Sequence, residues 1–474
     1  MGEASRRGTQ AERQREAIRR QKAGLVARMG DADERGLALL SAGLQPFLDR
    51  MSPEAWQRRR AAVVQELLDR PKEIDLHKAT SVRVRSDEMG WYLFLCQQAL
   101  EDPMCIDVSQ AQRALPFLAG LGSRWQYAGA VKGLTTKLDR LLTDQRKDPD
   151  GLLFEVLVAL SYAERGWSVE FVEEGSTKSP DLLVRRGERE LFVECKRMAR
   201  ATAYAESERE QYLRLWDRAK HVLMANKQWI WFKGTFHEEP SALPDSFLED
   251  IFKSALPIGS GESLIHDSPQ ATVHARPIDS AAAQRHLKDF HVKASSPALS
   301  QLLGGDWAPE NAAVTIIHAI KTSQIVGCEA TVLGTYIDEI GFACGFTRAF
   351  DSPVSIDRKA RDVTKLLSKA VEQVPDDRPS IIHIAAETME GLNVERRRTE
   401  KVFAQIPTFI TNKPVIAIRF HRLQAHQRAT KLYEIDETID RFQIDGAELD
   451  GVPESVVVPV ETPRQSGSHW EIYR

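Results

Sequence analysis

The sequence predicts an α/β protein, with an α-helical N-terminal domain ahead of the α/β part and an additional C-terminal α/β region. Three observations carry this prediction. Through the first 145 residues apolar side chains recur at helical spacing, and no strand signal of comparable length appears. From about residue 148 short apolar or alternating strands are interleaved with helices. Between 379 and 420 the order strand, helix, strand suggests a parallel crossover.

In the N-terminal part, AWQRRRAAVVQELLDR (55–70) and QALEDPMCIDVSQAQRALPFLAGL (98–121) are the clearest helical stretches, with Pro and Asp at the breaks. The arginines at 58–60 read as a wet helix face. DPDGLLFEVLVALSYAERGW is a helix opened by Asp/Pro and closed near Gly166. WSVEFVEE (167–174) is an alternating strand, and SPDLLVRRGERELFVECKR (179–197) reads as two short strands around a charged turn. A long helix follows, in which Tyr212, Leu215, Trp216, Ala219, Val222 and Leu223 share a face. WIWFKG (229–234) is a further strand.

Residues 235–350 read as a loop-rich and β insertion or linker, with turn residues and no period in PIGSGESLIHDSPQ (257–270). RKARDVTKLLSKAVEQV, PSIIHIAAE, VERRRTEKVFAQI and KPVIAIRF then alternate helix and strand. The expected boundaries are a helical domain at 1–145, a core at 146–234, the insertion at 235–350, an α/β segment at 351–425 and an acidic tail at 426–474.

Length and composition bound the function. The 474 residues are enough for about three domains. No apolar run approaches the roughly 18 residues that a membrane helix needs. The N-terminus is too polar for a signal peptide, so the expected compartment is the cytoplasm. The five cysteines are scattered, with no CxxC pair, and indicate neither a zinc knuckle nor a redox motif. A net charge of −4 excludes a globally basic nucleic-acid coat protein but not a local basic patch. Charge is uneven: +5 over residues 1–30 and −6 over 429–474. The basic start is read as a solvated helix or terminus, with phosphate contact as the alternative.

The stretch 179–197 carries the chemistry. Strand side chains alternate with period two, so Glu194 and Lys196 project side by side and Cys195 points the other way. A tight antiparallel pairing brings Asp181 beside Glu194. Two adjacent carboxylates repel, and one pKa rises unless a cation sits between them. Hard oxygen ligands favour Mg²⁺ or Mn²⁺. Lys196 is then placed to orient or activate a water and to stabilise charge developing on a phosphate. Glu155 lies among Leu152, Val158 and Ala159, an apolar setting that is costly for an unpaired charge. It either reaches the same metal, directly or through water, or lies at the edge of the apolar face and reaches solvent. The competing reading of 179–197 is an ordinary hairpin with a Glu194–Lys196 salt bridge.

Glu155, Pro180–Asp181 and Glu194–Cys195–Lys196, with the order helix, three strands, helix, strand, resemble the PD-(D/E)XK superfamily of restriction-endonuclease-like nucleases. The resemblance covers 148–234, under a fifth of the chain. It implies a mixed sheet flanked by helices, with Asp181 and Glu194 holding the metal, Lys196 catalytic and Glu155 an accessory ligand. It also implies a Mg²⁺-dependent (or Mn²⁺-dependent) nuclease in which water attacks a nucleic-acid phosphodiester, DNA more than RNA, in restriction, repair or defence. The segment 351–425 either stands apart or supplies the second helix and fourth strand of that core, with 235–350 then an insertion. A non-catalytic nucleic-acid-binding or scaffolding protein on the same fold is the alternative. The N- and C-terminal parts would then select substrate, form an oligomer or bind partner proteins.

Other features read as structural. No GxxxxGK[ST] occurs, so no P-loop is present. His383 reads as a satisfied core histidine, and His421 and His426 lack the Glu of an HExxH site. Arg197 and Arg200 are candidate nucleic-acid contacts. Arg209, Arg214, Arg218 and Lys220 alternate with Glu206, Glu208, Glu210 and Asp217 and read as a salt-bridged helix surface. Trp229 and Trp231 read as core.

Overall fold

The computed structural model describes residues 34–69, 84–173, 179–198, 201–293, 296–305, 312–360, 363–387, 390–409, 411–426, 433–443 and 446–462. The basic stretch 1–30 and Arg200 lie outside the described residues. The chain is a mixed α/β protein with two mixed sheets flanked by helices.

Six helices come first: α1 (Glu34–Leu48), α2 (Pro53–Leu68), α3 (Glu88–Glu101), α4 (Val108–Arg124), α5 (Leu134–Leu142) and α6 (Asp150–Glu164). Side-chain caps start three of them. Ser52 accepts from Ala55 N on α2, Asp87 from Gly90 N on α3, and Asp107 from Gln110 N on α4. Each cap satisfies an amide that the first helical turn leaves unpaired. Among the described residues, the first 145 do not have a core of their own. Leu40, Phe47, Trp91, Phe94 and Leu118 belong to one continuous buried cluster with Leu157, Val169, Val184 and Val193.

The first sheet has the order β1-β2-β3-β4-β11-β12-β13, where β1 is Val131–Lys132, β2 Ser168–Phe171, β3 Leu182–Arg186 and β4 Arg189–Arg197. Strands β11 (Ser380–Glu387), β12 (Val415–His426) and β13 (Glu434–Gln443) complete it. Strands β2, β3 and β4 pair antiparallel. The β3–β4 turn uses Gly187, whose φ of +61° an L side chain would resist. Strand β4 pairs parallel with β11, β11 parallel with β12, and β12 antiparallel with β13.

The second sheet has the order β6-β7-β5-β10-β8, with β9 also on β10. Its strands are β5 (Ile230–Phe236), β6 (Ser263–Asp267), β7 (Ala271–Pro277), β8 (Val292–Lys293), β9 (Ala312–Gln324) and β10 (Thr335–Phe350). The remaining helices are α7 (Ala203–Asn226), α8 (Phe247–Ala255), α9 (Ser280–Asp289), α10 (Pro297–Leu302), α11 (Pro353–Lys359), α12 (Thr364–Gln373) and α13 (Leu392–Gln405).

This topology corrects three expectations. The strand at 230–236 does not join the sheet that carries Asp181 and Glu194. Tyr212, Leu215 and Trp216 of α7 instead bury against Ile230, Phe232 and Phe236, together with Phe252 and Phe346. Within 235–350 the strands expected near 312–320 and 330–346 form as β9 and β10, but the part read as loop-rich also holds β6, β7 and β8, which pair into the same sheet. The acidic tail is partly sheet: β13 zips along β12 from Ala417↔Gln443 to His426↔Glu434. The neighbour of β4 comes from the C-terminal α/β segment, reached only after the whole second sheet; Phe192 lies beside Ser380 and Lys196 beside Ile384. Helices α12 and α13 cover one face, with Leu367, Ala370, Ile382, Ile384, Val402 and Phe420 in a shared cluster. The other face, through Val193, Ile381 and Ala385, joins the α6 core.

Candidate functional site

The hairpin register sets the site. Leu182 pairs with Val193, so Asp181 enters the sheet beside Glu194. The Cys195 amide donates to Asp181 Oδ2 at 2.7 Å, which pins the carboxylate at the strand mouth. The Asp181 and Glu194 carboxyls are near enough for the charge of Asp181 to act on Glu194. Cys195 itself is buried in the α6 core, as the alternation requires.

Lys196 Nζ donates to Glu194 Oε1 and to Gln373 Oε1, the latter at 2.6 Å. Gln373, at the end of α12, also donates to Ser179 O at 3.3 Å. It therefore ties the segment before Asp181 to the lysine on the next strand. Glu155 on α6 meets Lys137 of α5, Nζ to Oε2 at 3.3 Å, and the same ammonium lies 5.0 Å above the Phe171 ring.

The electrostatics of the cluster are unbalanced. Glu194 is fully buried, and burial together with the negative Asp181 pushes its pKa up to about 8 against the pull of Lys196. Burial and Asp181 push Glu155 up to about 7, opposed by Lys137. Burial also raises Asp181, against the Cys195 amide and the Lys196 charge. Burial works to lower Lys196, but Glu194 and Asp181 outweigh it and hold the ammonium above its ordinary value. Glu194 Oε2 has no hydrogen-bond partner among the described residues although it is buried. Such an atom is costly unless something outside the protein's own groups meets it.

A hard divalent cation fits this pair. Asp181 and Glu194 offer adjacent carboxylates, one with a free oxygen, in a setting where a proton now stands in for positive charge. Among the described residues no group of three or more His, Cys, Asp and Glu side chains is arranged to hold a metal ion. Glu155 belongs to the same electrostatic cluster, but its charge is already answered by Lys137.

Sequence reasoning missed Lys137 and Gln373. Lys137 had a signal: it falls on the apolar face that Leu134, Leu138 and Leu141 form at helical spacing, the mirror of Glu155 on its own helix. Gln373 had none, because its role depends on how α12 packs across β4.

The basic candidates resolve differently. Arg197 is not exposed for a phosphate: its side chain is 5% exposed, ion-paired to Glu387 and set 4.6 Å from the Phe117 ring. It follows Lys196 but points to the opposite face, and so into the helical core. Arg214, Arg218 and Lys220 pair with Asp245, Glu249 and Asp217 on the α7 surface. Of the arginines of α2 only Arg58 is exposed, so they do not form a wet face together. Arg59 makes a two-pronged contact with Asp87, and buried Arg60 reaches Glu329 at 2.8 Å. His383 is a buried core histidine bonded to Tyr162 and His421. Trp231 is buried and donates to Thr347 at 2.9 Å. No described helix is long and apolar enough to cross a membrane. No protein-family model, no curated protein and no solved structure matches the chain.

Proposed function

We propose that the chain is a metal-dependent nuclease of the PD-(D/E)XK kind, hydrolysing nucleic-acid phosphodiester bonds, with DNA favoured over RNA. The observation that carries this reading is the unbalanced acid cluster: two adjacent carboxyls, a buried unpartnered oxygen on Glu194, and a lysine fixed beside them.

Asp181 and Glu194 would hold Mg²⁺ or Mn²⁺. When bound, the cation supplies Lewis acidity toward a phosphate oxygen and favours ionised water. Lys196 remains an ammonium, since its neighbours raise its pKa. It therefore donates, orienting a water or stabilising charge on the phosphate, and does not abstract a proton. Gln373 is a positioning residue that holds Lys196 and the strand before Asp181 in one geometry. Restriction, repair and defence against foreign DNA are the settings that the motif suggests by analogy.

The second reading is a non-catalytic nucleic-acid-binding protein on the same scaffold. The Lys137–Glu155 pair favours it, because it withdraws one acid from the cluster. Incubating the protein with single- and double-stranded DNA and RNA, in Mg²⁺, Mn²⁺ or EDTA, separates the two. The nuclease reading expects metal-dependent cleavage that falls by about 100-fold or more in Lys196→Ala, the scale of losing one charge-stabilising donor. Binding without cleavage under every metal supports the second reading and overturns the first.

A further inference from the structure

Two cysteines that are 223 positions apart in sequence meet where the N-terminal helices dock on the second sheet. Cys105 lies between α3 and α4, and Cys328 lies in the turn between β9 and β10. Both sulfurs crowd the same point: a Cβ on Gly334 would stand 2.8 Å from Cys328 Sγ and 3.4 Å from Cys105 Sγ. Each thiol acts directly on the acidity of the other. Neither is in a disulfide.

The surroundings hold this contact in place from several directions. Lys293 Nζ donates to Ile106 O at 2.5 Å, and Tyr336 OH donates to Met104 O at 2.7 Å, so the second sheet grips both sides of Cys105. From the helical side, Arg60 holds Glu329, the residue after Cys328, at 2.8 Å. Cys328 Sγ lies 3.2 Å from Ala330 O. A pre-aligned pair of this kind is unlike the other three cysteines, Cys96, Cys195 and Cys344, which are buried without a thiol neighbour among the described residues.

We infer that Cys105 and Cys328 are a modification site, a thiol pair that a hydroperoxide converts to a disulfide joining the helical part to the second sheet. Their roles differ. Cys328 is half-buried, whereas Cys105 is buried. Neighbouring Cys105 first, and then Lys293, hold Cys328 below the ordinary thiol value against burial and the charge of Asp102. The same contact, with burial, raises Cys105. Cys328 is thus the thiolate that attacks and Cys105 the partner that resolves.

The steps balance. The Cys328 thiolate attacks one peroxide oxygen, the O–O bond breaks, and the second oxygen leaves as water after taking a proton, which gives a sulfenic acid. Cys105 sulfur then attacks the sulfenic sulfur, its proton leaves with the hydroxyl as water, and the S–S bond forms. Two thiols are oxidised by two electrons, and one peroxide is reduced to two waters.

The test treats the reduced full chain with hydrogen peroxide, blocks remaining thiols after unfolding, and maps peptides without reductant. The expected result is one linked peptide pair, Cys105 with Cys328, lighter by two hydrogens and lost on adding dithiothreitol, with the other three cysteines alkylated. In Cys105→Ser, dimedone is expected to label Cys328; in Cys328→Ser, it is expected to label neither position. The absence of the linked pair in the wild-type chain, a link to a different cysteine, or dimedone on Cys105 in Cys328→Ser would each overturn the inference.

Discussion

Lys196 and Arg197 are consecutive on β4, yet the acids they meet are held in opposite states. On one face Glu194, buried beside Asp181, is pushed up to about 8. On the other, Glu387 is largely buried too, and burial works to raise it, but Arg113 and Arg197 overcome this and hold it down at about 2. Arg113 makes paired contacts with Glu387 at 2.6 and 3.0 Å and reaches Asp150 at 2.9 Å. Asp150 opens α6 and also accepts from Tyr92 OH at 2.8 Å. This network joins α3, α4, α6, β4 and β11, and its acids and arginines answer one another in charge, although Arg197 Nη1 is buried without a hydrogen-bond partner among the described residues. The Asp181–Glu194 cluster is left with more negative charge than its lysine neutralises. A buried network that is satisfied fixes structure, whereas one left short of positive charge is prepared for something that arrives.

Breaking the satisfied network has the largest expected effect. Glu387→Gln leaves Arg113 and Arg197 buried without their shared counter-charge, and the loss of one member of such a set costs about 3–5 kcal/mol. Urea unfolding followed by circular dichroism measures it. A cost below about 1 kcal/mol would mean that the network is not the tie between the helices and the sheet.

The unbalanced cluster predicts the opposite sign. Asp181→Asn keeps an acceptor for the Cys195 amide and removes the repulsion that raises Glu155 and Glu194. In EDTA at pH 8.5 it is expected to stabilise the chain by about 1–2 kcal/mol, at one pKa unit per roughly 1.4 kcal/mol. The pH dependence follows from the raised values. Glu194 binds its proton more tightly folded than unfolded, so its contribution to stability is present below pH 4.5 and is lost as pH rises through about 8. Unfolding curves at pH 6 and 8.5 in EDTA check this: the wild type is expected to lose stability between them, and Asp181→Asn to lose less.

How much of this was legible in the sequence follows from where the information sits. Helix α6 and the hairpin were legible because period and turn chemistry are local. The adjacency of Asp181 and Glu194 was legible because a two-residue period and a tight turn fix the register. The partner of β4 was not. WIWFKG and PSIIHIAAE are both apolar runs able to fill a buried strand position, and only the packing of Tyr212 and Trp216 on Phe232 commits the first to the second sheet. Strand β13 was hidden by its acidic composition. One of its acids, Glu437, has its side chain buried and hydrogen-bonded to His421 and to the Val456, Val457 and Val458 amides. Arg197 read as a phosphate contact because it follows the motif; its burial depends on Glu387, 190 positions away.

The contrast between the two faces of β4 rests on the Asp181–Glu194 pair taking a cation. Calorimetric titration of Mn²⁺ into the EDTA-stripped and dialysed chain at pH 7, in two buffers of different ionisation enthalpy, tests this most directly. The account predicts one cation per chain, bound with release of a proton from the raised carboxyls, and loss of both in Asp181→Asn. Binding that is absent, or that is unchanged in Asp181→Asn, would contradict it.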